Sequence, residues 1–213
     1  ATGVAFAENP SNGDCRVCGS LASLAGLEQG INTDNDTLID HAIARILMVH
    51  SIVLSIGGIP LLYSGDELAL LNDYSYEQDD SKKHDGRWVH RIPVTDAVIA
   101  QSNTLNTPQH QVTTGLQQRI AIRKQHSLFG QAGTSILNSD NPAIFAFERY
   151  TDEGKKLIAI CSFSEHRQVI SSTYLGLDNG QVWHDLLTDF VKTSAANSIN
   201  LQPYQVMWLT QRD

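Results

Sequence analysis

GGIPLLYSGDELALLNDYSYEQDDSKKHDGRWVHR, running from Gly57 to Arg91, decides how the rest of the chain is read. An apolar run, Ile59 to Tyr63, breaks at Gly65-Asp66-Glu67 into a long polar loop. Apolar character on both faces predicts a parallel strand covered by helices, where in–out alternation is lost. A buried strand that ends in carboxylates and opens into a loop rich in Asp, Tyr and Trp is how an α/β barrel builds the rim of its active site.

Upstream, residues 1–18 read as loop. Ser20 to Gln29 is rich in Ala and Leu and predicts a helix, with Gly30 as its stop. Asn35-Asp36-Thr37 supplies capping residues for a second helix that runs to Gly57-Gly58. Its second half is nearly all apolar, so it should be largely buried, and His41 and His50 read as surface or satisfied core histidines. Helix, Gly-Gly, buried strand and a further helix make an αβα unit. That further helix is Gly115 to His126, about fifty residues after the strand; so long a connection is uncommon outside functional loops.

After Gly130 the pattern changes to short alternating segments: Thr134–Asn138, Ala143–Tyr150, Lys156–Ser164, Val169–Tyr174, Val182–Leu187 and Tyr204–Thr210. Asp152-Glu153-Gly154 and Asn179-Gly180 supply hairpin turns. Strands at this spacing indicate an antiparallel sandwich, with a domain boundary near Gly130–Gly133.

The 213 residues are 41% hydrophobic and 18% charged, the composition of an ordinary soluble globular protein. A net charge of −8 argues against nucleic acid and anionic membrane as partners. No signal-peptide pattern and no apolar run long enough for a bilayer stands out, which tips the expected location towards the cytoplasm. Three cysteines build no disulfide framework. Cys15-Arg-Val-Cys18 has the spacing of zinc or redox motifs, but it follows the turn-rich Asn9-Pro10-Ser11-Asn12-Gly13, and Cys161 stands far away. Unpaired thiols are the expectation.

Asp66 and Glu67 are the obvious carboxylate pair. Consecutive residues of an extended strand project to opposite sides, so the two should not flank one glycosidic bond. One rim carboxylate, or a capping and ion-pairing role, is expected instead. Arg87 lies in His84-Asp85-Gly86-Arg87-Trp88, where the arginine fork suits hydroxyls or a carboxylate and Trp88 offers a face for a pyranose ring. The alternative is an exposed Asp–Arg pair with Trp88 pinning the loop. Arg16, in a turn-rich loop, reads by itself as solvated.

Several segments follow one another in the order found in the amylosucrase branch of the α-amylase superfamily, glycoside hydrolase family 13. They are NPSNGDCRVCG (9–19), GGIPLLYSGDE (57–67), Leu71-Asn72-Asp73, Gln78-Asp79, Asp85-Gly86-Arg87-Trp88, Ser162-Phe163-Ser164-Glu165 and LQPYQVMWL (201–209). The chain resembles that branch over nearly its whole length. Cys18, Gly86 and Ile92-Pro93 depart from its pattern.

The resemblance implies an α/β plus β protein. Residues 1–130 would be the C-terminal part of a (β/α)8 barrel, with the last helix–strand–helix and the end of the loop-7 extension. Residues 131–213 would be a small antiparallel β-sandwich. The enzyme would move glucose from sucrose to glucan or to water by a retaining mechanism, with no metal or organic cofactor.

Arg87 matches the arginine that helps close the glucosyl pocket by a salt bridge with an upstream aspartate. Asp14 and Arg16 match acceptor-side residues. The family's aspartate nucleophile, glutamate acid/base and third aspartate would precede Ala1, so no catalytic residue is expected in this chain, which should be inactive alone. Sucrose and glucan are the partners implied for the whole enzyme, together with self-association or contact with its N-terminal part. A non-catalytic carbohydrate-binding or structural module is the alternative.

Overall fold

The computed structural model describes residues 2–177, 180–192 and 197–211. The chain forms two compact units, Ala1–Ile46 with Leu62–Gly115 and Leu47–Leu61 with Leu116–Asp213.

The first unit opens with a hairpin where loop was expected. β1 (Val4–Phe6) pairs antiparallel with β2 (Arg16–Cys18) in the register Val4↔Cys18 and Phe6↔Arg16. Its connection is set by Asn9, whose side-chain oxygen accepts from the Ser11 amide (3.0 Å) and hydroxyl (2.7 Å), while its own amide donates to the Asp14 carbonyl (2.7 Å). Strands of three residues are too short to show alternation, which is why the sequence pattern missed them.

The expected helix from Ser20 to Gln29 is two helices, α1 (Leu21–Leu24) and α2 (Leu27–Asn32), divided at Gly26 with φ +98°. Gly30 does not stop α2. A Cβ there would sit 2.9 Å from the Ile39 backbone nitrogen, so this glycine permits close packing against the next helix. That helix, α3 (Asp36–Ser55), starts as expected, with Asn35 accepting from the Leu38 amide at 3.1 Å. Its 20 residues, with a mean hydropathy of 1.5 in an 18-residue window, are long and apolar enough to cross a membrane by length and composition, contrary to the expectation that no segment was. Ala42, Ile43, Ile46, Met48 and Leu54 are buried along it, as in a core helix of a globular fold.

Residues 59–63 correct the reading that anchored the fold. They form no strand, and Ile59, Leu61 and Tyr63 are 89%, 82% and 53% exposed. A central strand exists only through its neighbours, and among the described residues none pairs with this one. Beyond it, a 3-10 turn (Asp66–Leu68) leads into the polar loop, which contains a helix that weak periodicity hid, α4 (Asp96–Ser102). α5 (Pro108–Gln125) begins seven residues before the expected Gly115. Thr107 caps it by accepting from the His110 amide at 3.1 Å, and Pro108 occupies the first helical position.

The second unit is built on a six-stranded antiparallel sheet in the order β3-β4-β5-β10-β7-β8. Its strands are β3 (Gly133–Leu137), β4 (Ile144–Tyr150), β5 (Lys156–Ser162), β7 (Trp183–Asp185), β8 (Val191–Lys192) and β10 (Val206–Gln211). A second, two-stranded sheet pairs β6 (Gln168–Ser171) with β9 (Ser198–Leu201). All six expected segments contain a strand; β8 and β9, of two and four residues, were missed. The expected Val169–Tyr174 strand ends early in a 3-10 turn, Thr173–Leu175. Gly154 (φ +84°) makes the turn between β4 and β5, as expected from Asp152-Glu153-Gly154. The turn expected at Asn179-Gly180 includes Asn179, which lies outside the described residues.

Both faces of the large sheet are covered. Ile144, Ile158, Ile160, Trp183, Met207 and Leu209 pack on Ile170, Ile199 and Leu201 of the small sheet. Phe147, Leu157, Ala159, Cys161 and Trp208 pack on Met48, Leu54, Leu128 and Phe129. Double coverage explains why Leu157–Ser162 is buried throughout.

Two arginines hold the end of α3. Arg149, 2% exposed, donates to the carbonyls of Leu128 (3.1 Å) and Ile56 (3.0 Å) and to the Thr134 hydroxyl. Arg123 donates to the carbonyls of Phe129 (3.0 Å), Gly58 (3.1 Å) and Leu54. Carbonyls at a helix C-terminus lack intrahelical donors and carry partial negative charge, so guanidinium groups both satisfy and neutralise them. Gly57 has φ +114°, and a Cβ there would lie 2.6 Å from Arg149 Nη1. Arg149→Leu leaves the Leu128 carbonyl buried and unmet and removes the ties to Ile56 and Thr134, and should cost about 1–3 kcal/mol. Gly57→Ala adds backbone strain to the clash and should cost about 1–3 kcal/mol. Urea unfolding midpoints check both; wild-type midpoints would show that the clamp contributes nothing.

Candidate functional site

The first unit gathers two of the three site residues named from the sequence. The pairing of β1 and β2 puts Val4, Phe6, Arg16 and Cys18 on one face of the hairpin. Gly86 comes so near that a Cβ on it would meet Val4 at 3.1 Å and the Ala5 carbonyl at 3.2 Å. Gly86 thus opens the 3-10 turn Gly86–His90 beside the hairpin, where a larger residue would push it away. Asp85 caps that turn by accepting from the Arg87 amide at 3.0 Å. The same carboxylate takes Arg87 Nε at 2.8 Å and Nη2 at 2.9 Å, a two-point pair. The Arg87 guanidinium lies 4.9 Å from the Phe6 ring centre, and Arg16 stands opposite Phe6 in the register.

The Asp85–Arg87 hydrogen bonds hold the Asp85 carboxyl down at about 2 and raise the guanidinium further. Arg87 is half exposed, so this is a surface pair within one loop. The structure therefore joins Arg87 to Asp85, the alternative weighed from the sequence. Trp88 follows the same alternative: its ring carries the Lys82 amine at 5.1 Å and the Arg91 guanidinium at 4.7 Å and so pins the loop.

Asp14 is exposed in the hairpin connection, its carboxylate accepting from the Asn12 amide group at 2.6 Å. Cys15 and Cys18 are free thiols, as is the buried Cys161, whose thiol burial pushes up to about 12. Among the described residues, no group of three or more His, Cys, Asp or Glu is placed to hold a metal.

Beneath the hairpin lies a network that the sequence reading missed. The Asn72 side chain accepts from the Ser20 amide (2.8 Å) and donates to the Thr2 carbonyl (3.3 Å) and the Tyr74 hydroxyl (3.1 Å). Its backbone amide donates to the Ser23 hydroxyl at 2.9 Å. Buried Glu28 closes the circuit, accepting from Tyr74 (3.0 Å) and Thr2 (3.1 Å). Asn72 thus welds the start of α1, the first residues and the polar loop together. The only signal was Leu71-Asn72-Asp73, whose partners are 49 to 70 residues away.

Asp66 and Glu67 have separate structural tasks, but they lie in a 3-10 turn and not in the extended strand from which their divergence was expected. Glu67 accepts from the Gly65 amide at 2.8 Å, and its carbonyl accepts from the Thr113 hydroxyl at 2.7 Å. Asp66 is half buried, which, with the Glu67 charge, raises its carboxyl to about 6; a hydrogen bond from the Leu21 amide opposes the rise. The folded state prefers the protonated form. That contribution to stability is complete below the ordinary value of 3.8 and is lost as pH rises through about 6. Asp66→Asn keeps an acceptor for Leu21 and removes the charge. It should therefore raise the melting temperature at pH 7.5 and change it little at pH 3.5. An equal shift at both pH values would reject the assigned cause.

No family model matches the chain. In sequence it is similar to glucosylglycerate phosphorylase of Escherichia coli (strain K12), 27% identical over 167 residues covering 78% of this chain and 28% of the relative. In structure it is similar to AmyP in complex with maltose (TM-score 0.64, 17% identity, 80% of this chain and 35% of that one). It is also similar to the trehalulose synthase MutB from Pseudomonas mesoacidophila MX-45 (TM-score 0.56, 13% identity, 79% and 38%). The chain spans little more than a quarter of the length of its curated relative. The chain is thus similar in sequence to part of glucosylglycerate phosphorylase and has the fold of the matching parts of AmyP and MutB.

Proposed function

We propose that the chain is part of an α-amylase-family enzyme that takes an α-glucosyl unit from a small donor through a covalent glucosyl-enzyme intermediate and passes it to phosphate. The similarity to glucosylglycerate phosphorylase over 78% of the chain carries this reading. Residues 1–130 would belong to the barrel and residues 131–213 to a β-domain. The nucleophile, acid/base and third aspartate would be supplied by residues outside this chain, which contributes the rim. There Arg87, held in a fixed orientation by Asp85 and Phe6, would serve the glucosyl side, and Arg16 and Asp14 the acceptor side. A second reading, glucosyl transfer from sucrose to glucan or water, is favoured by the order of the segments from Asn9 to Leu209.

Supplying the full-length protein with glucosylglycerate or sucrose, with and without inorganic phosphate, separates the readings. Phosphate-dependent release of a glucosyl phosphate supports the first. Polymer or free glucose without phosphate supports the second, and no consumption of either donor overturns both. The 213-residue chain alone should turn over neither.

In the full-length protein Arg87→Ala should lower kcat/KM for the donor by about a hundredfold, a loss of about 3 kcal/mol. Arg16→Ala should shift product partition with little effect on donor consumption. Near-parental donor consumption by Arg87→Ala would reject the site assignment.

The same reading gives the exposed segment 59–63 an occupant. Ile59 and Leu61 leave two large apolar side chains open, a surface that invites association. We assign it to a part of the same protein outside this chain, because the relative is more than three times longer than the matched region. The isolated chain should therefore self-associate in light scattering and bind a hydrophobic dye, and Leu61→Lys should reduce both. A monomer that binds no dye would remove this assignment.

A further inference from the structure

The connection from β1 to β2 carries Asn12 followed by Gly13. An asparagine side chain can be attacked at Cγ by the main-chain nitrogen of the next residue, and a glycine there leaves that nitrogen unshielded by any side chain. Asn12 and Gly13 are both exposed, and a Cβ on Gly13, at φ +73°, would meet nothing within 4 Å, so water and base reach the pair. Asn9, in the same connection, lacks this chemistry, because the nitrogen after it belongs to Pro10 and carries no hydrogen.

Two contacts restrain the reaction. The Gly13 amide donates to the Asn9 carbonyl at 2.9 Å. The Asn12 carboxamide is held at Asp14, accepting from its main-chain amide at 3.0 Å and donating to its carboxylate at 2.6 Å. These are hydrogen bonds of exposed residues in a connecting loop, the class that opens locally at small cost.

We propose that Asn12 is a site of spontaneous deamidation whose product loosens the hairpin beside Arg87. The Gly13 nitrogen bonds to Asn12 Cγ while the side-chain amide leaves as ammonia, taking the Gly13 proton with it. Water then opens the succinimide at either carbonyl, giving aspartate or isoaspartate; no other reactant enters. A carboxylate at position 12 meets the Asp14 carboxylate where the carboxamide had donated, so an attractive contact becomes a repulsive one. Isoaspartate also adds a main-chain carbon inside the loop that Asn9 closes by donating to the Asp14 carbonyl at 2.7 Å. The loop joins the two strands that carry Phe6 and Arg16, so its loss acts on the surroundings of Arg87. The proposal does not rest on the activity proposed above.

Full-length protein kept in warm, mildly alkaline buffer and then mapped by peptide mass spectrometry tests it. The peptide spanning Asn12 should gain the mass of amide-to-acid conversion and react in an isoaspartate methylation assay. Mapping separates it from Asn179-Gly180. Protein unfolded in urea should convert about tenfold faster, because both restraints are gone. Asn12→Gln should stay unconverted.

Asn12→Asp carries the product's charge from the start. It should speed hydrogen exchange of the β1 and β2 amides about fivefold. Adding Asp14→Asn exchanges the two side chains and should bring the rates back to those of the wild type. An Asn12 that stays intact in folded protein over the time in which urea-unfolded protein converts rejects the site. Wild-type exchange in Asn12→Asp, or no recovery in the double variant, rejects the consequence.

Discussion

The C-terminal end of α3 is the point on which the sheet unit depends. A helix must give its last carbonyls to some donor, and here the donors are Arg123 and Arg149, which arrive from α5 and β4. Burying guanidinium groups without carboxylates would ordinarily be costly, and burial does lower the Arg149 pKa from its ordinary value. The helix dipole and the hydrogen bonds to Leu128, Ile56 and Thr134 offset that cost. They also explain Gly57. The chain must turn with a positive φ against a guanidinium that leaves no room for a side chain. Core packing around Phe129 and Trp208, whose rings are 4.7 Å apart, is arranged around this clamp.

In the first unit the organising device is polar. Asn72 and Glu28 bind three stretches of chain through fully partnered side chains, a high-stakes arrangement because removing one member leaves the others unmet. On that platform the β1–β2 hairpin and the turn at Gly86 bring Arg16, Phe6 and Arg87 together. The planar cation is held on one edge by Asp85 and on its face by Phe6, so its orientation is set before a ligand is present. Such fixing is what the role proposed for Arg87 would need, and the lone motif His84-Asp85-Gly86-Arg87-Trp88 could not disclose it.

Much of the sheet unit was legible in the sequence because short antiparallel strands and their turns are local. β4, β5 and β10 were recognised from residue type, and the Gly154 turn from Asp152-Glu153-Gly154. Failures occurred where the deciding partner is distant. Residues 59–63 have the composition of a buried strand, yet they lie open because pairing, not composition, makes a strand. Gly30 resembled a helix stop and proved to be a contact with Ile39. Trp88 could be read as a sugar platform or as a pin for its loop, and two cations on its ring decide for the pin.

The sequence by itself determined the long helix α3, the alternation of the β-rich half, the glycines and caps that punctuate both, and a collinear set of segments with a recognisable order. These properties reside in neighbouring residues, whose propensities act over a few ångströms. Only the tertiary structure decided that Arg87 pairs with Asp85 against Phe6, that Asp66 and Glu67 serve separate backbone groups, and that Asn72 and Glu28 tie three stretches of chain together. Such charges interact through space, and their worth depends on burial and on partners that chain order does not reveal.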